Sequence, residues 1–135
     1  MIKNSDKTLH NIHSMSEVNS NFNFAMPAKS DPSMKNFSKN EDPFYIKCDV
    51  HPWMKSWVMV LEHPYWAVTD QDGSYTMNLD SLEPGTYDLC FWHEKWDKSM
   101  KGEGYCSDEY KTSVTITDQS IDAGIQTFKR PAKKK

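Results

Sequence analysis

The sequence predicts an all-β protein of sandwich type, and three observations carry that expectation. Short runs of apolar and β-branched residues alternate with turn signals roughly every ten residues, the spacing of a sheet sandwich. No stretch sustains the apolar periodicity of an amphipathic helix. Aromatic residues are plentiful, with five Trp, six Tyr and six Phe among 135 residues, as half-buried sheet faces or a binding surface would need. A chain of this length holds one domain or two very small ones.

Taken in order, residues 14–43 are rich in Ser, Asn, Lys and Asp and contain Pro27, Pro32 and Pro43. They read as a long polar loop interrupted by one short strand over residues 22–26. After Pro43 the texture changes. Residues 44–48 alternate loosely and form a strand candidate, and residues 57–61 form a second, more buried one. Residues 67–69 lead into the turn Asp70-Gln71-Asp72-Gly73, where Gly73 can take positive φ, and residues 74–77 read as the returning strand. Glu83-Pro84-Gly85 is another tight turn, followed by a strand over residues 86–92 with Tyr87, Leu89 and Phe91 on one face. Residues 98–108 form a glycine-containing loop. Residues 113–117 alternate cleanly as a strand, and residues 125–128 read as the last one.

Charge is spread unevenly. Residues 1–60 carry seven Lys against six acids, residues 61–128 carry four Lys against thirteen acids, and residues 129–135 return five positive charges, for a net −3. That sum gives no argument for nucleic acid. The basic end reads as a solvated arm, with docking to an acidic partner as the sharper alternative. The longest apolar run, residues 57–61, is far below the roughly 20 residues needed to span a bilayer. The first residues likewise lack the apolar stretch of a signal peptide.

The informative segment is Cys48-Asp49-Val50-His51-Pro52-Trp53-Met54. It places a thiolate, an imidazole and a thioether at three-residue intervals on the loop joining two apolar strands. Soft sulfur with imidazole is the ligand set that favours copper, and two His, one Cys and a long axial Met make the blue-copper arrangement. The further histidine can come from Leu9-His10-Asn11-Ile12-His13. A rigid mixed site suits neither oxidation state of copper fully, so little reorganises when an electron moves. Pro52 stiffens the loop by fixing φ. Trp53 would shield the metal or offer an apolar docking face, and the Asn11 amide is placed to tie the two ligand segments together.

These segments resemble the copper-ligand loop and the upstream H-N-V-H segment of cupredoxins, the C-x-x-H-P-aromatic-M form being most similar to that of amicyanin. The resemblance implies a metal site of His10, Cys48, His51 and Met54, with Asn11, Pro52 and Trp53 supporting it. The downstream half, through Asp70, Gly73, Tyr75 and Pro84-Gly85-Thr86-Tyr87, looks like the carboxypeptidase regulatory-like (transthyretin-type) β-sandwich. With Trp92-His93-Glu94 it resembles secreted plastocyanin-like bacterial proteins carrying both signatures. The expected organisation is the C-terminal portion of a Greek-key cupredoxin-like copper domain over residues 1–62. A small regulatory-like β-sandwich follows over 63–128, then a disordered tail over 129–135. Only nine residues precede His10, where cupredoxins have several strands. The expectation is therefore a chain lacking its N-terminal strands, or a partner chain completing the sheet.

The function implied is electron transfer at a type 1 copper centre in the periplasm or outside the cell. The redox partner would be a cytochrome or oxidoreductase steered by the acidic half, and no catalysis of bond chemistry is expected. Two readings stay beside it: a non-redox β-sandwich that binds carbohydrate or protein within a larger assembly, and a copper carrier. With Cys48 taken by the motif, Cys90 and Cys106 remain as a candidate disulfide, which would require an oxidising compartment; spacing alone does not decide it. His13 is expected to be an outward-facing or loop residue and not a ligand, since alternation would put it opposite His10. His63 reads as a strand-end residue, and His93 as either a sheet histidine or a neighbour of the metal. Met15, Met26, Met34, Met59, Met77 and Met100 are too scattered for a copper-transport tract. Asp70, Asp72 and Asp80 lack the bidentate Glu of an EF-hand and fit turn chemistry. No Ser-His-Asp order, phosphate loop or zinc Cys pair is present.

Overall fold

Polar residues build the first strand of the molecule. A computed structural model describes residues 1–95, 105–117 and 121–128. Met100, most of the loop expected over 98–108 and the tail 129–135 lie outside the described residues. The chain divides into two compact units, Met1–Glu62 and His63–Lys135. Among the described residues there is no α-helix, and no helix is long and apolar enough to cross a membrane.

The first unit is a four-stranded antiparallel sheet of β1 (His10–Ser14), β2 (Asn23–Met26), β3 (Glu41–Lys47) and β4 (Lys55–Val60), in the order β2-β1-β3-β4. β1 is the segment that apolar patterning does not announce. It lies between two partners, pairing with β2 from His10↔Met26 to His13↔Asn23 and with β3 at His13↔Lys47 and Ser14↔Ile46. The strand expected over 44–48 starts earlier, at Glu41. A register irregularity between Glu41 and Phe44 accommodates Pro43, which has no N–H for the ladder. On the apolar side Met26 and Phe44 are buried, and Phe37 sits edge-on to Phe44 with ring centres 5.2 Å apart.

Much of what this unit buries is polar: Asn4, His10, Ser14, Ser16 and Glu41. Burying them is tolerable only because they are hydrogen-bonded. Glu41 is the extreme case. Its carboxylate accepts from Ser16 Oγ at 2.6 Å, from the backbone N–H of Glu17 at 2.7 Å and Val18 at 3.1 Å, and from Asn19 Nδ2 at 2.7 Å. The polar stretch read as a loop is thus wrapped around one buried anion.

The second unit has a two-stranded antiparallel sheet of β5 (Gly85–Cys90) and β6 (Lys111–Ile116), in register from Gly85↔Ile116 to Cys90↔Lys111. A 3-10 turn at Asp108–Tyr110 precedes β6 and buries Tyr110 against Phe91, Trp92 and Phe128. Cys90 and Cys106 are joined by a disulfide, with Cα atoms 5.0 Å apart. Two paired strands are marginal on their own, and among the described residues this covalent tie and the Tyr110 cluster reinforce them.

Two expectations for this unit are corrected. Residues 67–69 and 74–77 flank a turn but form no strands. Asp70 N bonds Ser74 O at 2.8 Å and Gly73 has φ +87° as expected, yet the Asp72 side chain takes both the amide and the hydroxyl of Ser74 at 2.9 and 2.8 Å. A side chain that captures the first amide after the turn competes with the ladder that would extend from it. Residues 125–128 are likewise not a strand: Ile125 is exposed, and the Phe128 ring packs on the Tyr110 ring with centres 4.8 Å apart. The all-β class therefore stands, with two antiparallel sheets.

Candidate metal centre

The site follows from the register of β1 on β3. Those strands run antiparallel and are paired through His13↔Lys47. Carried past the end of β3, the same alignment sets Asn11 beside Asp49 and brings His10 to the loop 48–54 that links β3 to β4. Asp49 N donates to Asn11 Oδ1 at 3.0 Å, and Asn11 N donates to Cys48 Sγ at 3.4 Å. The Asn11 amide also donates to Asn23 Oδ1 on β2. Asn11 thereby joins the two segments, as its place beside His10 suggested.

The loop is closed on itself by two backbone hydrogen bonds. Cys48 N donates to Met54 O at 3.1 Å, and Met54 N donates to His51 O at 2.9 Å. Pro52 and Trp53 stand exposed at its tip. The Trp53 ring lies beside His51, with centres 5.4 Å apart.

Three predicted ligands converge. His10 Nδ1 lies 3.2 Å from His51 Nδ1, and Cys48 Sγ lies 3.5 Å from the same nitrogen. One ligand atom from each of the three residues falls within 4.8 Å of the others. Metal–nitrogen and metal–sulfur bonds of about 2.0–2.3 Å put neighbouring ligand atoms about 3–4 Å apart, so these spacings fit a single ion. The donor set of one thiolate and two imidazoles is that of a soft or borderline transition metal. Met54, half-buried, closes the same loop and reaches both Cys48 and His51 through its backbone.

The electrostatics favour ligation. Burial alone would push the Cys48 thiol up. Hydrogen bonds from the Asn11 and His51 backbones, the His10 side chain and the Val50 backbone outweigh it and hold the pKa down at about 6. This favours the thiolate, the form in which a cysteine ligates metals, at neutral pH. His10 is shifted upward, chiefly by its hydrogen bond to Asp6 and then by that to Cys48.

His13 points away, as strand alternation requires, and lies 2.8 Å from Asp49 Oδ2. Lys47 bonds the other oxygen of Asp49 at 2.9 Å, and these two partners lower the Asp49 pKa. In the second unit His93 packs on Phe128 and accepts from Lys95 N at 3.1 Å, and His63 stacks on Tyr65. Asp6 reaches His10 Nε2 at 2.9 Å and is a neighbour of the site that sequence reasoning does not mark. Its one signal is a carboxylate four residues before the histidine, a spacing too common to weigh. No protein-family model, curated protein or solved structure matches this chain.

Proposed function

We propose that this chain is a small electron-transfer protein with a type 1 copper centre. His10 and His51 serve as imidazole ligands, Cys48 as the thiolate and Met54 as the weak axial ligand. The observation that carries the reading is the meeting of His10, from a distant stretch, with Cys48 and His51 at ligand spacing. Copper, when bound, supplies a one-electron couple. The chain's own residues keep the ligands still: Asn11 bridges the two segments, Pro52 stiffens the loop, and the Cys48–Met54 backbone bond closes it. Little reorganisation then accompanies each electron. Trp53 and Val50, both exposed beside His51, offer an apolar contact for a cytochrome or oxidoreductase.

Under this proposal the first unit is a Greek-key cupredoxin-like sheet and the second a carboxypeptidase regulatory-like module. The Cys90–Cys106 disulfide fits a periplasmic or extracellular setting, where such bonds persist.

Voltammetry of the protein loaded with copper tests the reading. The expected result is one copper per chain, a reversible one-electron wave, and metal retained through repeated reduction in the presence of a Cu(I) chelator. Copper lost at every reduction would assign a carrier instead. Protein that binds no stoichiometric copper would leave the non-redox binding module.

A further inference from the structure

His10 is gripped from behind. Its Nε2 lies 2.9 Å from Asp6 Oδ2, while its Nδ1 faces His51 and Cys48. An ionised carboxylate can only accept a hydrogen bond, so Asp6 at 2.9 Å draws the single proton of a neutral His10 to Nε2, against the pull of the Cys48 thiolate on Nδ1, and leaves the Nδ1 lone pair for a metal. The ring nitrogen that faces the other two ligands is thus the one left free to bind.

The carboxylate is not at the end of a loose segment. Asn4 is 4% exposed, and its amide donates to the carbonyls of Thr8 at 2.9 Å, Met26 at 2.9 Å and Pro27 at 3.0 Å. Its Oδ1 accepts from Asp6 N at 2.9 Å. One buried amide therefore ties the segment before β1 to the end of β2 and fixes the backbone that presents Asp6. The Asp6 side chain itself is 62% exposed, so replacing it opens no cavity.

We infer that Asp6 is a positioning residue for the metal centre. Its carboxylate fixes the tautomer and ring orientation of His10 and makes that imidazole a stronger donor, which favours the more highly charged state of a bound metal. Carboxylates behind metal-binding histidines act in this way generally, and their loss costs about 10–100-fold in metal affinity. The tautomer claim stands on this geometry alone, whereas the effect on a redox couple rests on the copper reading above.

The experiment uses Asp6→Ala and Asp6→Asn in the full chain, with unchanged melting curves as the control for folding. Nitrogen-15 NMR of the histidine rings is recorded on metal-free protein at alkaline pH. The wild type should show His10 protonated on Nε2, Asp6→Ala a mixture of tautomers, and Asp6→Asn the wild-type tautomer, because its amide oxygen still accepts. In the copper-loaded proteins both variants should have raised potentials. A tenfold loss of Cu(II) affinity relative to Cu(I) corresponds to about 59 mV for a one-electron couple. An Asp6→Ala protein with the wild-type tautomer and potential would overturn the inference while leaving the copper reading intact. Failure of the wild type to bind copper would sink the copper reading, and the NMR result would still decide the tautomer claim.

Discussion

Cys48→Ser should abolish the intense visible absorption of the Cu(II)-loaded protein. That band needs a thiolate bound covalently to the metal, and Cys48 is the free cysteine among the described residues. A serine hydroxyl is a harder and far less acidic donor, so neither the charge transfer nor the soft-ligand preference survives. Affinity should fall by more than about 100-fold, since removing even a partner behind a ligand costs 10–100-fold. The fold should tolerate the change, because serine is smaller and its hydroxyl can accept from Asn11 N as the sulfur does at 3.4 Å. Absorption and copper titration of the two proteins make the comparison, and a surviving band in Cys48→Ser would refute the assignment of the thiolate.

The largest effect on stability is expected at Glu41. Glu41→Ala should destabilise the first unit by about 3 kcal/mol or more, because it strands several donors that the carboxylate now satisfies. Glu41→Gln keeps the shape but sets an NH2 group among donors, and should cost about 2 kcal/mol. The loss should depend on pH in a defined direction. Burial raises the Glu41 pKa, but hydrogen bonds from Asn19, Ser16, Glu17 and Val18 outweigh it and bring it below its ordinary 4.5. The folded protein therefore binds the proton more weakly than the unfolded chain. This contribution is complete above pH 4.5 and fades as the pH falls through the depressed folded value. Denaturant unfolding of wild type and Glu41→Gln should show a gap that is widest at neutral pH and narrows in acid. A gap independent of pH would contradict the account.

The ligand loop was legible because its chemistry is local: Cys48, His51 and Met54 declare themselves by type and spacing within seven residues. His10 could be nominated only by motif, and its arrival at the site depends on the pairing of β1 with β3, a long-range register that no local pattern encodes. β1 itself is hidden because its residues are polar or ionisable apart from Ile12, and they are accommodated through hydrogen bonds. The same is true of Glu41, a strand residue that reads as loop until its donors from residues 16–19 are seen around it. In the second unit the local pattern misleads in the opposite direction. Alternation around the Asp70–Gly73 turn suggested a hairpin, and the Asp72 side chain bonds Ser74 where the ladder should have begun. Asp6 stayed invisible for a similar reason, because its role comes from the fold of the segment anchored by Asn4.

Two imidazoles and one thiolate, drawn from two separated stretches of the chain, are proposed to surround one copper ion. X-ray absorption at the copper edge of protein loaded with one Cu(II) per chain tests it directly. The expected coordination sphere has two imidazole nitrogens and one short copper–sulfur bond. A sphere built from nitrogen and oxygen alone, with no sulfur scatterer, would contradict it.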